Sequence, residues 1–300
     1  MVMPLNSKAL AWIILLSLVL VWGSSFILIK RGLEIFSFQE VGALRISIAF
    51  LFLLPFAASR FRYLNRKNTL YLILVGIIGN GLPAFLFARA QTGIDSNLAG
   101  ILNSLTPLFT LLISVFFFRF KTGWLNVAGI FIALAGAVGL TGISGGHNLT
   151  FNVQYAVYIL IATMCYATSV NLIKFKLSKE DVITITSFSF FFTGIPVMIY
   201  LFAGTPFLEQ VSGNPRFLSG LGYIAILGIA GTALAMFAFN RLVKITTPVF
   251  ASSVTYMIPI MAVIWGILDG EKFEAQYILW IALILGGVYL VNRKFKTKNT

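Results

Sequence analysis

Ten apolar runs follow one another along the chain with only short polar connections between them: 9–29, 38–58, 69–89, 97–118, 124–143, 154–174, 182–202, 217–239, 247–268 and 275–292. Each reaches roughly the 20 residues that a helix needs to span a hydrocarbon core. The pattern predicts an all-α integral membrane protein of ten transmembrane helices, with no room in its loops for a soluble domain. The first run follows Lys8 and is too long for a signal-peptide core, and no small-x-small cleavage site follows it, so it is read as a retained span.

Within this pattern residues 71–107 and 223–259 run in register at a constant offset of 152. Identical pairs include Tyr71/Tyr223, Gly76/Gly228, Gly79/Gly231, Leu82/Leu234, Phe85/Phe237, Phe87/Phe239, Arg89/Arg241, Ala99/Ala251 and Pro107/Pro259. At an offset of 144, Trp22-Gly23-Ser24-Ser25-Phe26 matches Tyr166-Ala167-Thr168-Ser169-Val170, and Lys30 matches Lys174. Pro55 and Pro196 match at 141. The chain thus divides into residues 1–148 and 149–300, each a five-helix repeat. Five is odd, so the second repeat enters the bilayer from the opposite side. Inverted repeats of this kind let a secondary transporter reach inward-open and outward-open states of similar energy.

Composition agrees: 59% of the 300 residues are hydrophobic and 10% charged. The net charge of +13 invites a nucleic-acid reading until its distribution is considered. With both termini cytoplasmic, the inside segments hold Lys8, Arg60, Arg62, Arg66, Lys67, Arg119, Lys121, Lys174, Lys176, Lys179, Arg241, Lys244, Arg293, Lys294, Lys296 and Lys298. The outside loops hold only Lys30, Arg31, Arg89, Arg216 and Lys272. That bias is the positive-inside rule, and it assigns the basic charge to topology rather than to nucleic acid. The partners expected are a small-molecule substrate and membrane lipids; monomer or homodimer stays open.

Several chemistries are excluded. No G-x-x-x-x-G-K-[ST] loop is present, so the chain does not itself hydrolyse ATP by that route. His147 is the lone histidine and Cys165 the lone cysteine, which leaves no metal cluster, acid–base pair or internal disulfide. Neither an enzyme nor a cofactor is expected. No Asp or Glu falls in the middle of a span, which removes the usual proton-coupling group and favours facilitated diffusion, exchange or coupling through the substrate's own charge. Asn148-Leu149-Thr150 matches a glycosylation acceptor, which matters only in a eukaryotic secretory route.

The candidate substrate-binding residues are polar or aromatic positions inside spans. Pro107 and Pro259, read as interior to helices 4 and 9, free the carbonyls of Asn103 and Thr255 and serve as helix breaks for gating or as packing kinks. Non-helical backbone is tolerated in a membrane where it is buried in protein or lines a water-filled cavity. This makes Asn103, Ser104, Thr106, Thr255 and Tyr256 candidate cavity walls. Asn80, with Gly76, Gly79, Gly81 and Pro83 around it, faces either the cavity or a close helix contact. Trp22, Ser25, Tyr166 and Asn171 suit an amphipathic solute, with interfacial anchoring the alternative for the rings; Ser24 and Thr168 either join them or bond to their own backbone. Arg45 lies about seven residues into helix 2, on the order of 10 Å along its axis. It either attracts a substrate carboxylate, or snorkels outward, or pairs with Glu40. Arg89 and Arg241 suit helix-end carbonyls. Gly129, Ala133 and Gly136 in helix 5, and Ala282 and Gly286 in helix 10, form packing stripes.

These features together resemble a family, the ten-helix EamA-type permeases of the drug/metabolite transporter superfamily. The resemblance runs over essentially the whole chain and rests on Trp22-Gly23-Ser24-Ser25-Phe26, Ala43-Leu44-Arg45, residues 99–107 (Ala-Gly-Ile-Leu-Asn-Ser-Leu-Thr-Pro), Ala251-Ser252-Ser253, Ile258-Pro259 and Gly270-Glu271. One departure is Arg119, where the first half of such chains often carries a glutamate. The resemblance implies a central cavity lined by helices 1, 3, 4, 6, 8 and 9, with helices 5 and 10 peripheral. It also implies export of amino acids or other small metabolites across a bacterial-type cytoplasmic membrane. The rival readings are uptake or exchange of a larger anion such as a nucleotide sugar or phosphate ester, and a non-transporting enzyme subunit or scaffold.

Overall fold

The structure, a computed structural model, describes residues 5–94, 96–144, 153–268 and 275–291, all helical or connecting. His147, the Asn148–Thr150 triplet and Glu271 lie outside the described residues. In chain order the helices are α1 (Leu5–Gly23), α2 (Ser25–Leu33), α3 (Phe38–Ala58), α4 (Arg66–Gly76), α5 (Leu82–Ala90), α6 (Ser96–Asn103), α7 (Thr106–Phe118), α8 (Trp124–Ser144), α9 (Val153–Phe175), α10 (Val182–Ala203), α11 (Phe207–Gly213), α12 (Phe217–Gly228), α13 (Ala235–Ile245), α14 (Pro248–Ser252), α15 (Val254–Leu268) and α16 (Gln276–Val291). Six stretches are long and apolar enough to cross a membrane, from Lys8–Leu33 to Phe217–Ile245. Shorter apolar helices cover the remaining runs at Thr106–Phe118, Trp124–Gly139, Pro248–Met261 and Gln276–Val291. The protein is an integral, multi-pass membrane protein.

Side-chain caps fix where several helices start. Ser37 and Glu40 form a reciprocal capping box on α3, the Glu40 carboxylate lying 2.8 Å from the Ser37 amide nitrogen and 2.9 Å from its hydroxyl. Glu40 is thereby engaged with its own helix start and forms no ion pair with Arg45. Asp181 caps α10 by accepting from the Thr184 amide at 3.0 Å and pairs with Arg60 at 3.0 Å. Burial alone would raise the Asp181 carboxyl. The Thr184 bonds and the Arg60 charge outweigh it and hold the carboxyl below the usual carboxylate range.

The runs read as single helices 4 and 9 are each divided. In the first, a turn at Ser104 and Leu105 separates α6 from α7; in the second, Ser253 separates α14 from α15. Pro107 is therefore not interior, because it occupies the first turn of α7, where a missing N–H costs nothing. Pro259 does lie within α15, yet the break precedes it by six residues. The long runs at 69–89 and 217–239 carry a further irregularity: Ile77–Gly81 and Ile229–Leu234 are π-helical. Pro83 follows the first of these segments and removes the backbone donor for the Gly79 carbonyl. Its counterpart at offset 152 is Ala235, so the glycine pairs shared by both copies, and not the proline, are what the two π segments have in common.

The small-residue stripe of α8 packs against α16 within the chain. Asn126 ties the two ends together, its side-chain amide donating to the Val291 carbonyl at 2.7 Å. The face of α16 that makes this contact carries Ile284, Gly287 and Val288, all buried, whereas Ala282 and Gly286 are exposed. The stripe expected at Ala282 and Gly286 is therefore rotated by one position.

Candidate functional site

One cavity occupies the centre of the helices, with about 930 Å3 of space not filled by protein atoms, part of it open to the surroundings. Trp22, Ser25, Arg45, Asn80, Asn103, Tyr166 and Thr255 line it, together with Thr106. Its walls thus come from α1, α2, α5, α6, α7, α9, α13, α14, α15 and the two π segments, and also from α3, which contributes Arg45 and Ile46.

Ser104, Asn171 and Tyr256, also expected at the wall, do not line it. Ser104 donates to the Gly100 carbonyl at 3.0 Å and to the Thr255 carbonyl at 3.3 Å. The second of these is the carbonyl that Pro259 leaves without its helical partner. The corresponding carbonyl in the first copy, that of Asn103, accepts from the Thr106 hydroxyl at 2.7 Å. Both orphan acceptors are thus satisfied by hydroxyls, one locally and one from the other broken helix. Asn171 is fully buried and joins α9 to α7: its carbonyl oxygen accepts from Ser114 at 2.5 Å and its amide donates to the Thr110 carbonyl at 3.1 Å. Tyr256 packs within the apolar core. Ser24 and Thr168 bond back to Leu20 and Met164 carbonyls in their own helices.

The lining obeys the repeat more closely than the list of polar candidates does. Trp22 meets Phe239 with ring centroids 5.1 Å apart, and Tyr166 meets Phe87 at 5.9 Å. Trp22 and Tyr166 match at offset 144, and Phe87 and Phe239 at 152, so these are two copies of one aromatic pair, each made across the repeats. The same holds for Ser169 against Gly79 and Ser25 against Gly231. A Cβ on Gly79 would lie 2.2 Å from the Ser169 hydroxyl oxygen, and one on Gly231 3.0 Å from that of Ser25. Phe87, Phe239 and Ser169 were not among the sequence candidates, although their conservation between the two copies was the signal that could have found them.

The polar atoms are fixed as follows. The Trp22 ring nitrogen donates to the Gly231 carbonyl at 3.0 Å, inside the second π segment, where helical pairing is disturbed. Asn80 donates to the Ser189 hydroxyl at 3.3 Å. Arg45 Nε donates to the Thr232 hydroxyl at 2.7 Å, and no acid accompanies it among the described residues of the cavity wall. Arg45 neither snorkels nor pairs with Glu40.

At one end of the helices two lysines cap each other's helix. Lys174, in the last turn of α9, donates to the carbonyls of Val243 and Lys244 at 3.0 Å each and to that of Thr246, all at the end of α13. Lys244, in the last turn of α13, donates to the carbonyls of Leu177 at 3.3 Å, Ser178 at 2.6 Å and Glu180, in the turn after α9. Cations there meet the negative end of the helix dipole. The matched positions at the other end differ: Lys30 is exposed, and Thr92 bonds to the nearby Arg89 carbonyl at 2.7 Å. Arg89 itself lies over the rings of Phe38 (4.7 Å) and Tyr155 (5.7 Å), and Arg241 is exposed. The helix-end role expected of these arginines falls instead to the two lysines.

Comparison with known proteins agrees with this architecture. The profile of the EamA-like transporter family matches residues 9–142 and again 154–293. The chain is 29% identical to the "Uncharacterized inner membrane transporter YedA" of Escherichia coli K12, over 92% of this chain and 89% of that protein. It is 24% identical to the "Probable terminal-alkyne amino-acid exporter" of Streptantibioticus cattleyicolor, over 96% and 94%. One crystal structure superposes with a TM-score of 0.72 at 17% identity, covering 93% of this chain and 95% of that one, a likeness of fold. With two matches that together span nearly all of its length, the chain belongs to the EamA-like transporter family.

Proposed function

We propose that this transporter is a secondary carrier that exports small amphipathic metabolites, amino acids among them, by alternating access. In this reading residues 1–148 and 149–300 are inverted five-helix repeats, both termini are cytoplasmic, and the membrane is a bacterial inner membrane. The observation that carries it is the pair of matched aromatic contacts across one central cavity. With this topology Trp22–Phe239 lies on the cytoplasmic side of the cavity and Phe87–Tyr166 on the outer side. A solute held between them is covered by rings and oriented by Asn80, Asn103 and Thr255. Kinship with a protein named a "Probable terminal-alkyne amino-acid exporter" supports the substrate class, and the excess of Lys and Arg in the segments read as inside supports the orientation.

The test is purified protein in liposomes, assayed by counterflow with labelled amino acids, amines and aryl acids. Movement of at least one class above empty vesicles is expected. Asn103→Trp, which fills the cavity from its wall, should cut that flux by at least about tenfold while leaving the protein monodisperse. If no solute of any class moves, or if Asn103→Trp transports normally, the reading is wrong.

A further inference from the structure

Arg45 is the one charged residue among the described residues that line the cavity. Its Nε is tied to the wall through Thr232, whose hydroxyl in turn donates to the Leu227 carbonyl at 2.9 Å. A guanidinium has five N–H donors in a planar fork, four of them on the two terminal nitrogens. Among the described residues neither terminal nitrogen has a protein acceptor, and no carboxylate pairs with Arg45. A cation within a membrane span ordinarily faces a partner or water, because hydrocarbon does not tolerate it. Here the fork is anchored at one edge and open at the other, the arrangement that receives a planar carboxylate through two parallel bonds.

We infer that the terminal nitrogens of Arg45 hold the carboxylate of a monoanionic substrate with an apolar or aromatic body. The inference rests on the carrier function proposed above and narrows its substrate class from amphipathic metabolites, amino acids included, to monoanionic acids, so that zwitterionic amino acids fall outside it. One cation and no acid on the wall balance a single negative charge. A zwitterion brings an ammonium for which no lining carboxylate exists, and a phosphate ester brings more negative charge than one arginine offsets. The rings of Trp22, Phe26, Phe87, Tyr166 and Phe239 cover the body of such an acid.

The same assignment supplies a driving force. A cargo of net charge −1 leaving the cell moves down an inside-negative potential, which at equilibrium favours the outside by about 50-fold per 100 mV. This fits a chain with no carboxylate in the middle of any span to couple transport to protons.

A set of probes with one body and different heads tests it: phenylacetate, phenylalanine, phenylacetamide and phenethylamine. Binding is measured by calorimetry on the purified protein, and transport as current on a supported membrane, where passive crossing of the neutral acid gives no signal. Phenylacetate should bind at least about tenfold more tightly than the other three and give a current that grows with inside-negative potential. Arg45→Gln should lose at least about tenfold in phenylacetate affinity with no change for phenylacetamide, Arg45→Lys should fall between, and Thr232→Val, which removes the anchor and keeps the charge, should lose about threefold or more. Should Arg45→Gln fail to fold, the Arg45→Lys and Thr232→Val results decide. Equal binding of phenylalanine and phenylacetate, or phenylacetate binding that is indifferent to these substitutions, would overturn the carboxylate site while leaving the carrier reading intact. If counterflow finds no transported solute of any head group, the carrier reading itself fails.

Discussion

Gly287→Val should lower the melting temperature of the detergent-solubilised protein by roughly 2–5 °C, whereas Gly286→Val, one position earlier, should leave it within about 1 °C of the parent. A Cβ on residue 287 would lie 2.5 Å from the Ala133 amide nitrogen and 2.6 Å from the Gly129 carbonyl oxygen. Both are backbone atoms, so no rotamer change relieves the clash, and α16 must move off α8. Overpacking of this kind costs about 1–3 kcal/mol in a well-packed core. Lipid offers no hydrophobic term to press the two helices back together, because association there rests on close packing and hydrogen bonds. A Cβ on residue 286 meets nothing within 4 Å. Equal melting temperatures for the two variants would mean that α8 and α16 are not packed as described.

That contrast also marks the limit of what the sequence discloses. The apolar runs located the helices well: 38–58 coincides with α3, and 182–202 with α10 to within one residue. Hydropathy reports depth in the membrane, however, and is nearly blind to rotation about a helix axis. Successive helical positions differ by about 100°, so a stripe placed at Gly286 and not Gly287 faces another direction altogether. The same blindness explains Asn171 and Ser104. A polar side chain in a span must find a partner, but a neighbouring helix satisfies it as well as a cavity does, and the Ser114 hydroxyl and the Thr255 carbonyl were those partners. Arg45 shows the converse. Its local neighbour Glu40 suggested an ion pair, and only the tertiary fold reveals that Ser37 engages the glutamate while Thr232, 187 positions away, receives the arginine.

Replacing Lys174 and Lys244 together by methionine should open the proposed cytoplasmic side of the cavity. Both lysines lie at that end in the topology of two inverted repeats. Each caps the carbonyls of the other's helix terminus, so the pair bridges the ends of α9 and α13. The exposed Lys30 and the locally bonded Thr92 occupy the matched positions on the opposite side and make no comparable bridge. In the proposed topology, two states of nearly equal energy would thus be biased by a contact that only the second repeat carries. If the reciprocal caps are together worth on the order of 1–3 kcal/mol, their loss shifts the equilibrium toward the inward-open state by about 5–150-fold. A reporter cysteine at Val170, on the cavity wall, with Cys165 changed to serine, reads this directly. In inside-out vesicles its reaction with an impermeant maleimide should rise several-fold in the double variant and stay at the parental rate in Lys176→Met, an exposed neighbour. A single lysine change should fall between, since it leaves one set of caps in place. Unchanged labelling in the double variant would show that the bridge does not hold the cavity shut, and the bias would then have to come from the aromatic pair beneath it, Trp22 against Phe239.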